Sequence, residues 1–294
     1  MRTRIISAMV GIAIMITMLI FHNTIFLTIM VSAMTAVMLF ELLRAVKLEK
    51  CIPILIAIEL CGISIPFIYD YTYKYISMSS VFAIEVLFKR QHILPFTVTL
   101  FCSFIVFIIW LNQHKKIRYE QVFFALASML LVPQAMTTMV RIDREATDHG
   151  VFLLVMGLCG AWIADSGAYF TGITLGKHKL CPEISPKKTI EGFVGGIIST
   201  AVVFVIAFFV YNKFITRWPM ELGIIRYIAV AVMGMICAVI GTVGDLSASM
   251  VKRQIGFKDY GKIMPGHGGL MDRFDSVLFV LPTFYAFISL TGII

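Results

Sequence analysis

Gly192-Phe193-Val194-Gly195-Gly196-Ile197-Ile198-Ser199-Thr200-Ala201-Val202-Val203-Phe204-Val205-Ile206-Ala207-Phe208-Phe209-Val210-Tyr211 runs for twenty residues without one charged side chain. About 20 apolar residues are what a helix needs to cross roughly 30 Å of hydrocarbon. Eight further stretches read the same way, so the candidate spans fall near 5–21, 24–43, 52–69, 93–111, 122–140, 150–170, 192–211, 224–244 and 277–294. The rest of the composition agrees. Apolar residues make up 59% of the 294, charged residues 14%, and the mean hydropathy is +0.91. A soluble domain holds about 45–50% apolar and about 25% charged residues, so the fold class is all-α, a polytopic integral membrane protein of about nine transmembrane helices. Disordered, collagen-like and disulfide-scaffold classes are excluded, as is a nucleic-acid binder with a soluble basic face.

Two spans are weak by sequence: the third carries Glu59 and two prolines, and the fifth is interrupted by Pro133 and Gln134. The stretch 71–92 is aromatic and mixed in charge, with too short an apolar run to cross, and reads as an interfacial segment. The start, Met1-Arg2-Thr3-Arg4 before an apolar run, imitates a secretory signal, but the small-residue cleavage pattern at Val31–Ala33 lies inside the second apolar run. An uncleaved first span is expected, in a tight hairpin with the second across His22 and Asn23. The six cysteines are scattered and form no CxxC pair, which suits small core hydrophobes rather than a zinc site or disulfide framework.

Loop charge sets orientation. With nine spans, the loops on one side carry 17 Lys and Arg and those on the other carry 8. The richer side is expected to be cytoplasmic, with the N-terminus inside and the C-terminus outside. The net charge of +8 fits loops that face anionic headgroups or an anionic substrate.

Residues 1–150 are spans and short linkers, expected to act as scaffold and as lipid or dimer contacts. Residues 151–294 hold two polar loops, both on the expected cytoplasmic side, and form the expected catalytic region. No phosphate-loop, dinucleotide, zinc-protease or nucleophile-elbow motif is present. The first loop begins with Asp165, Ser166 and Tyr169 and reaches Ser185-Pro186-Lys187-Lys188-Thr189-Ile190-Glu191. Ser185 followed by Pro186 reads as a helix N-cap with proline at the first helical position. That would place Lys187 and Lys188 at a helix N-terminus, where they oppose the helix dipole unless an anion binds. Positive-inside anchoring explains the lysines equally well.

The second loop is sharper. Asp245, Ser249 and Lys252 stand at i, i+4 and i+7, on one helical face. Asp272 and Asp275 stand at i and i+3, also predicted to share a face. These carboxylates are hard oxygen ligands suited to Mg²⁺, which keeps waters and binds substrate phosphates through one or two carboxylates. Lys252, Arg253, Lys258 and Arg273 suit a polyphosphate. The Pro265-Gly266-His267-Gly268-Gly269 turn supplies amides for an anion nest. Each residue alone has a duller reading as a cap, a counter-ion or a loop hydrogen bond. A cluster at membrane depth is expensive and points to function.

The pattern Ser249-x-Val251-Lys252-Arg253-x4-Lys258-Asp259-x-Gly261-x2-Met264-Pro265-x-His267-Gly268-Gly269-x2-Asp272-Arg273-Phe274-Asp275 closely resembles the phosphatidate cytidylyltransferases, or CDP-diacylglycerol synthases. Asp165-Ser166-Gly167-Ala168-Tyr169 and the stretch from Ser185 to Gly192 are also similar. Met264 stands where the family usually has Leu, Ile or Phe. The resemblance implies transfer of a cytidylyl group from CTP to phosphatidate, giving CDP-diacylglycerol and pyrophosphate for phospholipid synthesis. It implies Mg²⁺ held by Asp245 and Asp272, with Asp275 beside them, and a second, monovalent cation such as K⁺. It implies catalytic roles for Asp245, Asp272, Lys252, Arg273 and His267, and substrate binding by Lys187, Lys188, Ser185, Ser249, Arg253, Lys258 and Asp165. It also implies a homodimer in the cell inner (plasma) membrane among membrane lipids, with no nucleic-acid partner. Two other readings stay open on the residues alone. Another lipid cytidylyltransferase or a membrane kinase would share the phosphate machinery. A secondary transporter of an anion would place charge at the midplane on broken, often repeated helices, where this sequence has little beyond Glu59.

Overall fold

The computed structural model describes residues 2–78, 93–216, 223–266 and 268–291. In chain order the elements are α1 (Arg2–Ile20), α2 (Ile25–Ala45), α3 (Ile52–Met78), α4 (Ile93–Gln113), α5 (Tyr119–Glu145), α6 (Gly150–Leu175), β1 (Lys179–Cys181), β2 (Ser185–Thr189), α7 (Ile190–Tyr211), α8 (Gly223–Ile255), α9 (Met271–Phe274) and α10 (Val277–Thr291). Among the described residues eight helices are long and apolar enough to cross a membrane, α9 and α10 counting as one, and Ile6–Ile20 of α1 is a shorter apolar run. The chain is an all-α polytopic membrane protein, as its composition required. Helices are the form in which a lone segment satisfies its own backbone in hydrocarbon. Pro66 and Pro133 both lie inside helices, so neither weak span is broken. The third span is longer than expected, because α3 runs on to Met78. Residues 71–78 therefore continue a helix instead of opening an interfacial segment, and residues 79–92 lie outside the described residues.

The chain forms two compact units: Met1–Val151 with Ile255–Arg273, and Phe152–Gln254 with Phe274–Ile294. In the first, α2, α3 and α5 pack on one another and α4 packs on α3. Leu27, Met38, Ile58, Ile65, Tyr69 and Met129 are its buried centre. α2 and α3 meet closely at Gly62, where a Cβ would lie 2.3 Å from Leu39 Cδ1. Glu59, in the first third of α3, buries both carboxylate oxygens without a hydrogen-bond partner.

One end of this unit is tied by charge. The Arg144 guanidinium donates to Asp70 Oδ1 at 2.8 Å and Asp143 Oδ2 at 2.7 Å, and to the carbonyls of His22 and Thr24, both at 2.9 Å. Asp143 also meets His22 Nδ1 at 2.7 Å, and Thr28 donates to Asp70 at 3.0 Å. Arg144, Asp70 and Asp143 are all buried. A single cation thereby gathers the α1–α2 turn and the ends of α3 and α5.

The second unit is packed through small residues, which let helix backbones approach. A Cβ on Gly234 of α8 would stand 3.0 Å from Ala201 Cα of α7, and one on Gly241 would stand 3.1 Å from Val280 of α10. Gly196 of α7 lies against α6, where a Cβ would come 2.8 Å from the Ala164 carbonyl oxygen.

Removing one member of a buried ion pair strands its partner, at a cost of about 3–5 kcal/mol. Arg144→Met and Asp70→Asn are each expected to lower the thermal midpoint of the purified protein in detergent. The double variant should cost clearly less than the two singles together, because the groups share one network; simple additivity would show that the pair is not coupled. A methyl forced against backbone costs about 1–3 kcal/mol, so Gly196→Ala should lower the midpoint as well. Gly223→Ala, whose Cβ meets nothing within 4 Å, should not, and equal midpoints for the two would contradict the α6–α7 approach.

Candidate functional site

In the second unit the polar groups are delivered by four elements. Asp165 sits on α6, Lys187 and Lys188 on β2, Asp245, Ser249 and Lys252 on α8, and Asp275 in the two-residue turn before α10. β1 and β2 form a small antiparallel ribbon, with Lys179 opposite Thr189 and Cys181 opposite Ser185. Thr189, not Ser185, caps the following helix, its hydroxyl accepting from Gly192 N at 3.1 Å. The expectation that Ser185 and Pro186 begin a helix is thus overturned. Pro186 sits in a strand of a two-stranded ribbon, the kind of edge where a missing N–H is tolerated. The two lysines precede the helix instead of opposing its dipole from within.

The ribbon hands Lys188 to α8: its Nζ lies 2.5 Å from Asp245 Oδ2, with both side chains about one quarter exposed. Asp165 lies within electrostatic range of Lys188 and Asp245, and Asp275 within range of Asp245, Lys252 and Asp165. Asp275 is buried, and its Oδ1 accepts from Ser276 N at 2.7 Å. Ser249 donates to Asp245 at 3.5 Å, one turn away on the predicted face of α8. Beside this cluster, a cavity of about 490 Å³ is lined by Lys179, Lys187, Lys188 and Asp165 together with Tyr169 and Phe193. It joins cationic groups to apolar rings, which suits a ligand with both a phosphate and an apolar part. Glu191, in the first turn of α7, closes the loop behind it by accepting from Lys177 N and His178 N and meeting the His178 ring at 2.6 Å.

Asp272, Arg273 and Lys258 belong to the first unit. Asp272 Oδ2 accepts from Tyr260 N at 2.8 Å and Gly269 N at 3.0 Å, so the carboxylate gathers both ends of the glycine-rich loop. Leu270 N and Met271 N donate to Glu41, a buried residue of α2, at 3.1 and 2.8 Å. The anion-nest expectation therefore changes: three successive amides, those of 269, 270 and 271, are taken by the protein's own carboxylates. Gly268 has φ +88°, a left-handed conformation that suits glycine. His267 lies outside the described residues. Asp272 and Asp275 do not share one continuous helix. α9 stops at Phe274 because the Asp275 side chain takes the Ser276 amide, a local bond that competes with the helix ladder. Lys258, Arg253 and Arg273 are exposed, and Ser185 is used in the ribbon.

No group of three or more His, Cys, Asp or Glu stands at metal-holding spacing among the described residues. The described residues by themselves thus form no all-protein cage. In the second unit three carboxylates, Asp165, Asp245 and Asp275, face two ammonium groups, Lys188 and Lys252. That excess of hard oxygen donors fits a cation that shares its shell with water and substrate phosphates.

Sequence reasoning did not single out Glu41 beside the Asp272 loop, Lys179 at the cavity, or Glu191 as the partner of His178. Glu41 had one signal, a carboxylate inside an apolar span, which is expensive without a purpose.

The profile of the cytidylyltransferase family matches residues 2–291. A phosphatidate cytidylyltransferase of Bacillus subtilis is 33% identical over 291 residues, covering 99% of this chain and 98% of its own. Those of Staphylococcus saprophyticus and Staphylococcus haemolyticus are 41% and 43% identical over 138 and 133 residues, about half of each chain. The match spans the described site residues of both units, and the chain belongs to the cytidylyltransferase family.

Proposed function

We propose that this protein transfers the cytidylyl group of CTP to phosphatidate, releasing pyrophosphate and leaving CDP-diacylglycerol in the membrane. The observation that carries this reading is the Lys188–Asp245 pair, set among Asp165, Asp275 and Lys252 beside a cavity that is part cationic and part apolar. It is supported by the likeness to relatives named for that activity. A phosphate oxygen of phosphatidate attacks the α-phosphorus of CTP, and the bond to the bridging oxygen of the β-phosphate breaks. The nucleophile is already an anion, so the site needs no strong general base. Its work is orientation and charge neutralisation. Lys187, Lys188, Lys252, Arg253, Lys258 and Arg273 hold phosphates, with Ser185 and Ser249 as polar contacts and His267 beside them. Asp245 and Asp272, with Asp275, would hold Mg²⁺, which supplies neutralisation of the leaving group, and a monovalent cation such as K⁺ would sit nearby. Residues 1–150 serve as scaffold and 151–294 as the catalytic region, with the loop 255–273 carrying part of the chemistry into the first unit. The family likeness further suggests a homodimer.

The protein is multi-pass, and its bacterial relatives point to the plasma membrane. In this reading the N-terminus and the loops 171–191 and 245–276 are cytoplasmic. Loop charge favours that side, and CTP is cytosolic and cannot cross the membrane.

Purified protein given labelled CTP, phosphatidate and Mg²⁺ should yield a labelled CDP-lipid; a product made only with another lipid acceptor would move the chain to a sister activity. Asp245→Asn and Asp272→Asn should abolish turnover while inserting and purifying normally, since a lost ligand charge removes several kcal/mol of transition-state stabilisation, on the order of a thousandfold in rate. Near-normal turnover by either at every Mg²⁺ concentration would refute its assignment as a ligand. With native cysteines replaced, a cysteine at Lys179 should react with a permeant thiol reagent and resist an impermeant one outside intact cells, and one added after Ile294 should react with both. Labelling at 179 from outside would reverse the orientation.

A further inference from the structure

We propose that Glu41, on α2, is a positioning residue for Asp272, and so sets the cation affinity of the site from within the N-terminal half of the chain. The inference rests on the reading of Asp272 as a cation ligand. Glu41 is 2% exposed, and its two oxygens are divided between successive amides: Leu270 N donates to Oε1 and Met271 N to Oε2. These residues immediately precede Asp272. The Asp272 carboxylate in turn holds Tyr260 N and Gly269 N. Two carboxylates thus share four amides of one loop: Asp272 takes those of 260 and 269, and Glu41 takes those of 270 and 271.

The loop is cut to fit this side chain. A Cβ on Gly261 would lie 1.9 Å from Glu41 Oε1, and one on Gly269 would lie 2.5 Å from both oxygens. Neither glycine has a left-handed φ, so space for the carboxylate, not backbone freedom, is what these positions supply. Glu41 and Asp272 also lie within electrostatic range of each other. Bringing two like charges into one partly buried loop is costly. Amide donors offset that cost, and a cation at Asp272 would offset more of it. Groups that orient a ligand in this way typically change metal affinity by about 10–100-fold when removed.

The test compares Glu41→Gln, Gly261→Ala and Asp272→Asn in purified full-length protein. Glu41→Gln keeps the shape but loses one acceptor, and Gly261→Ala keeps Glu41 but fills its space. Amide hydrogen exchange is followed over 259–273 and, as an internal reference, over 25–38. Turnover is measured against Mg²⁺ concentration. Both Glu41→Gln and Gly261→Ala should exchange faster at 260 and 269–271, with 25–38 unchanged. Both should need about 10–100-fold more Mg²⁺ for half-maximal turnover, with much of the maximal rate recovered at saturation. If Glu41→Gln does not fold, Gly261→Ala decides alone. Unchanged exchange in the loop, or an unchanged Mg²⁺ requirement, overturns the proposal while Asp272→Asn remains inactive. An Asp272→Asn protein with wild-type Mg²⁺ dependence would instead overturn the Asp272 reading, and the role of Glu41 with it.

Discussion

Hydrocarbon offers no hydrogen bonds, so a polar group placed in it must bring its own partners or cost several kcal/mol. That constraint organises this chain at both ends of α2. At one end the Arg144 guanidinium draws in Asp70, Asp143 and two carbonyls from the α1–α2 turn. At the other, the Glu41 carboxylate draws in two amides of a loop more than two hundred residues away in sequence. Thr28 and Glu41 are thirteen residues apart, about 20 Å along the helix. A single helix therefore ties a structural ion network to the loop that carries Asp272. Buried pairs of this kind are weak evidence for net stability, but each half is costly to lose. Such pairs fix which helices must meet, something apolar surface alone leaves loosely specified in lipid.

What could be read from the sequence was what has a period or a fixed length. The span from Gly192 to Tyr211 was recognisable because apolar length is a one-dimensional property, and α7 follows it closely. The face shared by Asp245, Ser249 and Lys252 was recognisable because α8 runs unbroken through all three. Spacing failed where a local bond competed with the helix. Asp272 and Asp275 have helical spacing, yet the Asp275 side chain captures the Ser276 amide and divides the helix. It failed again at Ser185-Pro186, a sound cap signal that lost to strand pairing with Lys179–Cys181, leaving the cap to Thr189. Glu41 carried the mark of a carboxylate inside an apolar span, but its role was beyond reach for a different reason. Its partners are backbone amides, which carry no sequence signature, and they lie 229 and 230 residues away.

The signature from Ser249 to Asp275 reads as one motif but is shared between the two compact units. Its ends belong to one compact unit, and the stretch 255–273 belongs to the unit built by the first 151 residues. Each unit anchors its share by its own means. The first holds the glycine-rich loop through carboxylate–amide bonds, and the second holds Lys188 and the carboxylates through the ribbon and three helices. The N-terminal helices are therefore more than membrane anchors, because the conformation of 260–272 is set by contacts within their own unit.

The choice of lysine at position 188 follows from the same electrostatics. An ammonium has three donors on a flexible stem and can serve a carboxylate and a phosphate together, whereas the planar arginine fork commits to one bidentate partner. Paired to Asp245, Lys188 keeps that carboxylate compensated next to Asp165 and Asp275. Three carboxylates this close would otherwise repel an incoming polyphosphate. In the reaction proposed above, an arriving phosphate meets a charged donor already aimed at the cluster, beside the cavity lined by Lys179 and Lys187. Substrate binding then redistributes donors within a nearly neutral site instead of assembling one, so the cost of ordering the charges is met largely by folding.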